Sequence, residues 1–199
     1  MEARVGLFWI LLVLVGIIVL RFGWPFLRRR FLRGYRTRSV KMSFLGSEVE
    51  ICPDHETRRI AYQAWVEIQT RKVGLPFDEQ HDVIIEVYNS WNQLFGVLRD
   101  LCKTVPPECL KDDDDAKKLV DLLLASLNDG LRPHLTRWQA KFRRWYSAAT
   151  EIESNVGRAP QDIQRDYPDY KQLAGDLVTV NRVFVSFGKS LLTLAKGGK

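Results

Sequence analysis

Three histidines, His55, His81 and His134, are the groups best suited to proton transfer near neutral pH. None of them stands in a motif that carries chemistry. There is no HExxH for zinc, no GxSxG nucleophile turn and no glycine-rich phosphate loop. Helical ribonucleases of the HEPN type need an Arg followed by a His four to six residues later, and Arg132-Pro133-His134 is too tightly spaced. If a site is hidden here, His81, Glu86 and His134 are its candidates, and the expectation is no enzyme. Cys52-x-x-His55 offers two metal ligands but has no second pair near it in sequence. Neither a metal nor any other cofactor is expected. The cysteines, Cys52, Cys102 and Cys109, are odd in number, and reduced thiols are the simplest account of them.

The most unusual polar segment is LRPHLTRWQAKFRRWY, residues 131–146. At helical spacing Leu131, Leu135, Trp138, Phe142 and Trp145 form an apolar stripe, and Arg137, Lys141 and Arg144 fall at i, i+4 and i+7 on another face. Arg132, His134 and Arg143 flank them. Like charges at this spacing repel, so an anion is expected to offset them. An acidic face of the same bundle or of a second subunit would serve. So would lipid headgroups, or a phosphate-bearing nucleotide or oligonucleotide held by Arg132, His134, Arg137, Lys141 and Arg144. Glu79, Asp82 and Glu86, at i, i+3 and i+7, are the acids expected to face this helix.

These residues are positioned by a chain that starts with a membrane signal. Val5 to Leu20 is sixteen residues without a charge or an amide, closed by Arg4 and Arg21. A span needs about 17–25 apolar residues. Snorkelling arginines and the continuation through Phe22, Gly23 and Trp24 supply the difference. Trp9 and Trp24 suit the two interfaces. The uncleaved-anchor reading is preferred over a secretory signal, because Arg, Trp and Pro follow the run in place of a small-residue cleavage site. Residues 1–27 are therefore expected to anchor the chain, and 28–41 to form a basic collar led by Arg28, Arg29, Arg30 and Arg33. With cations concentrated after the span, the positive-inside rule puts the N-terminus outside and the C-terminal domain in the cytoplasm, with the collar against anionic lipid.

Charge is segregated. Residues 1–41 hold nine Lys/Arg and one Glu, a charge of +8; because the whole chain carries +6, residues 42–199 are left at −2. The high isoelectric point thus belongs to the collar and is no argument for nucleic-acid binding.

The remainder, 42–199, reads as an α-helical domain. Residues 39–51 alternate around Gly46 as a short β-hairpin or extended arm. Asp54 is the expected cap of a helix over about 55–72, with Ile60, Ala61, Ala64, Trp65 and Ile68 on its inner face. Asp78 is the expected cap of a helix over about 79–104, which Pro106-Pro107 stops. Asp112 to Asp115 open a third helix, favoured by the macrodipole, whose stripe is Leu119, Val120, Leu123, Leu124 and Leu127. Asn128-Asp129-Gly130 is expected to break the chain before a fourth helix over about 132–153 with Pro133 in its first turn. A loop at 154–160, a short helix near 161–166 and a last helix over about 169–195 complete the chain, with GGK as a frayed tail. The fold class is all-α: a single N-terminal transmembrane helix, the arm, and a bundle of about five helices.

An uncleaved anchor at 5–20, the Arg collar at 28–38 and a domain of about 155 residues without catalytic motifs resemble the small membrane-tethered effectors of bacterial antiphage operons. LRPHLTRW (131–138) has the look of a family block. The nucleotidyltransferase-linked systems such as Hailong have this layout. The resemblance implies an oligomeric, ligand-regulated inner-membrane effector that opens a pore or disrupts the membrane, encoded beside a partner protein. The alternative is a non-enzymatic tether that recruits a cytoplasmic partner.

Overall fold

The computed structural model describes residues 39–107, 110 and 114–198. The expected anchor, the collar residues Arg28, Arg29, Arg30 and Arg33, and Cys109 lie outside the described residues. Within them the chain is mainly helical, with one two-stranded sheet.

The hairpin is as expected. β1 (Val40–Phe44) pairs antiparallel with β2 (Ser47–Ile51), Val40 opposite Ile51 and Phe44 opposite Ser47. Leu45 and Gly46 form the two-residue loop with φ of 48° and 87°, the left-handed pair that a tight hairpin of this twist requires. Alternation buries Val40, Met42 and Phe44 and exposes Lys41 and Ser43.

Asp54 caps α1 (His55–Gln69), accepting from the Thr57 N–H at 2.7 Å. Ile60, Ala61, Ala64 and Ile68 are fully buried, whereas Trp65 is half-buried at the edge.

The second helix departs from expectation at its start. α2 runs Ile84–Lys103, so Asp78 is not its cap. The Asp78 side chain instead organises a turn, accepting from the Gln80 N–H at 2.9 Å and meeting His81 Nδ1 at 2.7 Å. The cap comes from a distant part of the chain: Gln164 Oε1 accepts from the Ile84 N–H at 2.9 Å, and its Nε2 donates to the Asp82 carbonyl at 2.9 Å. A buried amide thus satisfies one orphan donor of a helix end that has no capping side chain of its own.

The expected break at Asn128-Asp129-Gly130 is absent. α3 (Asp114–Ala125) continues through a π-helical turn (Ser126–Leu131), α4 (Arg132–His134), a second π turn (Leu135–Gln139) and α5 (Ala140–Thr150) as one helical rod. Gly130 is there for space and not to end a helix. A Cβ on it would lie 2.8 Å from Phe44 Cζ and 3.1 Å from Phe184 Cε2. Pro133 has no N–H for the helical ladder, and the two π turns lie on either side of it. Along α3 the buried stripe includes Leu122, while Leu124 falls at its margin and is 38% exposed.

Pro160 opens α6 (Pro160–Arg165) after a 3₁₀ turn (Glu153–Asn155). α7 (Tyr170–Ala195) is the spine. Its Leu173, Leu177, Phe184, Phe187, Leu191 and Leu194 are buried, and Phe44 packs edge-on to Phe184 and Phe187 with centroids 5.7 and 5.0 Å apart. Among the described residues this is the helix long and apolar enough to cross a membrane. Its apolarity also matches its place in the core, where α1 and the hairpin pack along it. The tail is not frayed through Gly198: the Gly197 N–H donates to the Leu194 carbonyl and the Gly198 N–H to that of Thr193, both at 3.0 Å, with Gly197 at φ 79°. This is a Schellman cap, and Arg58 Nε adds a bond to the Ala195 carbonyl at 2.9 Å.

Candidate ligand cavity and cationic face

The π-interrupted rod presents the residues of the basic segment to three different surroundings. His134 turns inward and is 5% exposed. Its Nε2 shares a hydrogen bond of 3.2 Å with Tyr88 Oη, and its ring stands 5.3 Å from Trp91 and 5.7 Å from Tyr88. Burial drives its pKa from 6.5 down to about 4, against the pull of Asp176 and with the help of Arg137. The same burial, aided by Tyr167 and Asp176, pushes the Tyr88 phenol well above its ordinary value. His134 is therefore a neutral ring at pH 7, and its Nδ1 is buried without a hydrogen-bond partner.

Arg137 lies on the second π turn. Its guanidinium donates to Asp176 Oδ2 at 3.1 Å and stands 4.7 Å from the Trp138 ring centre. Trp138 Nε1 donates to the same Asp176 oxygen at 2.7 Å, so one carboxylate on α7 clamps the turn. Arg132 faces elsewhere, bonding Asn128 Oδ1 at 3.1 Å and lying over Phe95 at 4.9 Å.

Lys141, Arg143 and Arg144 are exposed on α5 and form no ion pair with a described residue. Arg143 and Arg144 line a shallow groove with Leu135, Thr136, Gln139 and Ala140. The acids expected to neutralise this helix form no ion pair with its described cations, although Glu86 lies near enough to help burial raise the Tyr146 pKa. Asp82 pairs with Lys72 and accepts from the Asp78 N–H at 2.9 Å. Glu86 is exposed beside Asn89, and Glu79 precedes α2, where its carbonyl accepts from Arg165.

A cavity of about 270 Å³ opens beside the first π turn. Val180, Val183 and Phe184 of α7 give it an apolar floor, Leu45 of the hairpin tip stands at its edge, and Asp129, His134, Arg137 and Asp176 supply the polar groups. Of the five sequence-predicted ligand residues, the fold brings His134 and Arg137 together here. It leaves Arg132, Lys141 and Arg144 outside the cavity.

The catalytic candidates do not converge. His81 is exposed and bonded to Asp78, Glu86 is on the surface of α2, and His134 is enclosed by aromatic rings. Among the described residues no group of three His, Cys, Asp or Glu is arranged to hold a metal. Cys52 is exposed and Cys102 half-buried, both as free thiols, and burial raises the Cys102 pKa.

Sequence reasoning missed Asp176, Tyr88 and Gln164. Asp176 had a signal, since it is the one carboxylate within α7. Tyr88 and Gln164 had none, because each acts on a residue distant in sequence. No protein-family model, curated protein or solved structure matches the chain.

Proposed function

We propose that this chain is a single-pass inner-membrane effector of bacterial antiphage defence. In this reading it is oligomeric and regulated by an anionic ligand, and it acts by opening a pore or disrupting the membrane without enzymatic chemistry. The apolar run 5–20 and the collar at 28–41 supply the membrane half of the proposal. The observation that carries the regulatory half is the exposed trio Lys141, Arg143 and Arg144. Lys141 and Arg144, three residues apart on one helix with Arg143 beside them, have no carboxylate partner among the described residues and are stabilised by an external anion, and guanidinium groups meet phosphate bidentately. A nucleotide or oligonucleotide made by a neighbouring gene product fits that demand. Arg137, held by Asp176, and Arg132, laid over Phe95, are less free to take part.

A second reading, a non-enzymatic tether for a cytoplasmic partner, is favoured by one apolar feature. Ile152 and Val156 are 52% and 78% exposed beside a groove floored by Trp145 and Ile163.

Native mass spectrometry of the full-length protein in mild detergent, with its 260/280 nm absorbance ratio, tests the proposal. A discrete oligomer with extra mass and a raised ratio is expected, both lost in Lys141→Glu/Arg144→Glu. A bare monomer whose function survives exchange of residues 1–27 for an unrelated anchor would overturn the effector reading and favour the tether.

A further inference from the structure

We propose that the cavity between the first π turn, the hairpin tip and α7 binds a small organic cation: an amine on an apolar body about the size of one ring. The inference is independent of the anion face on α5, and the two call for opposite ligand charge.

Shape comes first. The cavity is open to solvent on one side and floored by Val180, Val183 and Phe184, so a hydrocarbon body gains by entering it. At about 270 Å³ it lies just below the usual range of small-molecule sites, about 300–1,000 Å³, which limits the occupant to a single ring with a short tail. Two features of the wall are held at some energetic cost. Leu45 takes a φ of 48° at the hairpin tip, a conformation that Asn or Gly adopts more cheaply, and it stays 54% exposed at the cavity edge. Helix at 126–131 is wound as a π turn, a form that recurs at functional sites and here brings Asp129 to the rim.

Polarity then selects the ligand's charge. Arg137 is the single cation in the lining, and its partner Asp176 neutralises it. Asp129 is exposed and has neither a hydrogen bond nor an ion pair with a described residue, so the lining keeps one uncompensated negative charge. His134 is neutral, and its buried Nδ1 has no partner. The hydroxyl of Thr179 already donates to the Gly175 carbonyl at 2.9 Å, leaving its lone pairs as acceptors. The charged groups of the lining, Asp129, Asp176 and Arg137, thus leave it net negative, with the Asp129 carboxylate and the Thr179 hydroxyl as acceptors, which suits an ammonium with several N–H donors and disfavours a carboxylate or phosphate.

Calorimetric titration of the full-length protein in lipid nanodiscs, corrected for empty nanodiscs, tests this with three probes of one shape: 2-phenylethylamine, 2-phenylethanol and 3-phenylpropanoate. Saturable binding is expected for the amine, at least tenfold weaker for the alcohol and not detectable for the carboxylate. Asp129→Asn, on an exposed position, should weaken amine binding at least tenfold, and Val183→Phe should abolish it by filling the floor. Lys141→Glu/Arg144→Glu should leave it unchanged, which separates this site from the anion face. Absence of saturable amine binding, equal binding of the carboxylate, or an amine isotherm unaltered by Asp129→Asn would each overturn the proposal.

Discussion

Acid should destabilise this domain through His134 in a window that burial defines. The unfolded chain takes up that proton near pH 6.5, whereas the folded ring resists it until about pH 4. Between those values the unfolded state binds more protons, so stability falls as pH falls, most steeply by about 1.4 kcal/mol per pH unit. Across the whole window the loss approaches about 3 kcal/mol, from about 2.5 pKa units at about 1.36 kcal/mol each. Below pH 4 both states carry the proton and this contribution stops changing. A loss of that size is a large fraction of the roughly 5–15 kcal/mol typical of a folded domain. The assay is urea unfolding of the full-length protein in nanodiscs, followed by tryptophan fluorescence between pH 7.5 and 4.5, for wild type and His134→Gln. Glutamine keeps a polar group near Tyr88 and cannot titrate. Surface carboxylates such as Asp78 and Asp100, whose pKa values are lowered by His81 and Lys103 respectively, lose their contribution at lower pH in both proteins and cancel in the difference. The variant should be less stable at pH 7.5 and lose less on acidification. Parallel curves for the two proteins between pH 6.5 and 4.5 would refute the reasoning, as would a His134 NMR titration centred near 6.5.

Two further outcomes follow from single residues that join distant segments. Gln164→Ala strips the cap from α2 and leaves a buried carbonyl at Asp82 and a buried N–H at Ile84, and should cost about 1–3 kcal/mol in chemical denaturation. Gln164→Glu, which can still accept from Ile84 but cannot donate to Asp82, should not restore wild-type stability. Gly130→Ala drives a methyl to within 2.8 Å of Phe44, and should cost about 1–3 kcal/mol and loosen the hairpin, seen as faster amide exchange at Met42 and Phe44. Pairing it with Phe44→Leu should recover part of that loss.

The elements legible in advance were those whose cause lies within a few residues. The hairpin follows from alternation around Leu45-Gly46, where the turn demands positive φ at both positions. α1 starts where Asp54 can reach the Thr57 N–H, and Pro106 closes the second helix because the chain cannot continue through it. The apolar faces of α1 and α7 follow from 3.6-residue periodicity. Asp78, by contrast, has the composition of a cap, but the choice among competing helix starts was made by Gln164, eighty residues away.

The basic segment divides along the same line. Its cations, their helical spacing and the charge segregation toward the N-terminus are properties of the chain itself. Their separation is not. His134 points inward because Tyr88 and Trp91 enclose it, Arg137 is taken by Asp176, and Lys141, Arg143 and Arg144 are left exposed. Asn128-Asp129-Gly130 shows why such outcomes escape local rules. The tripeptide that local propensity reads as a break stays helical here, and its glycine serves packing: Phe44 and Phe184 occupy the space a side chain on Gly130 would need. Propensity and periodicity act over about one helical turn, whereas packing density acts between segments that meet only once the chain has folded.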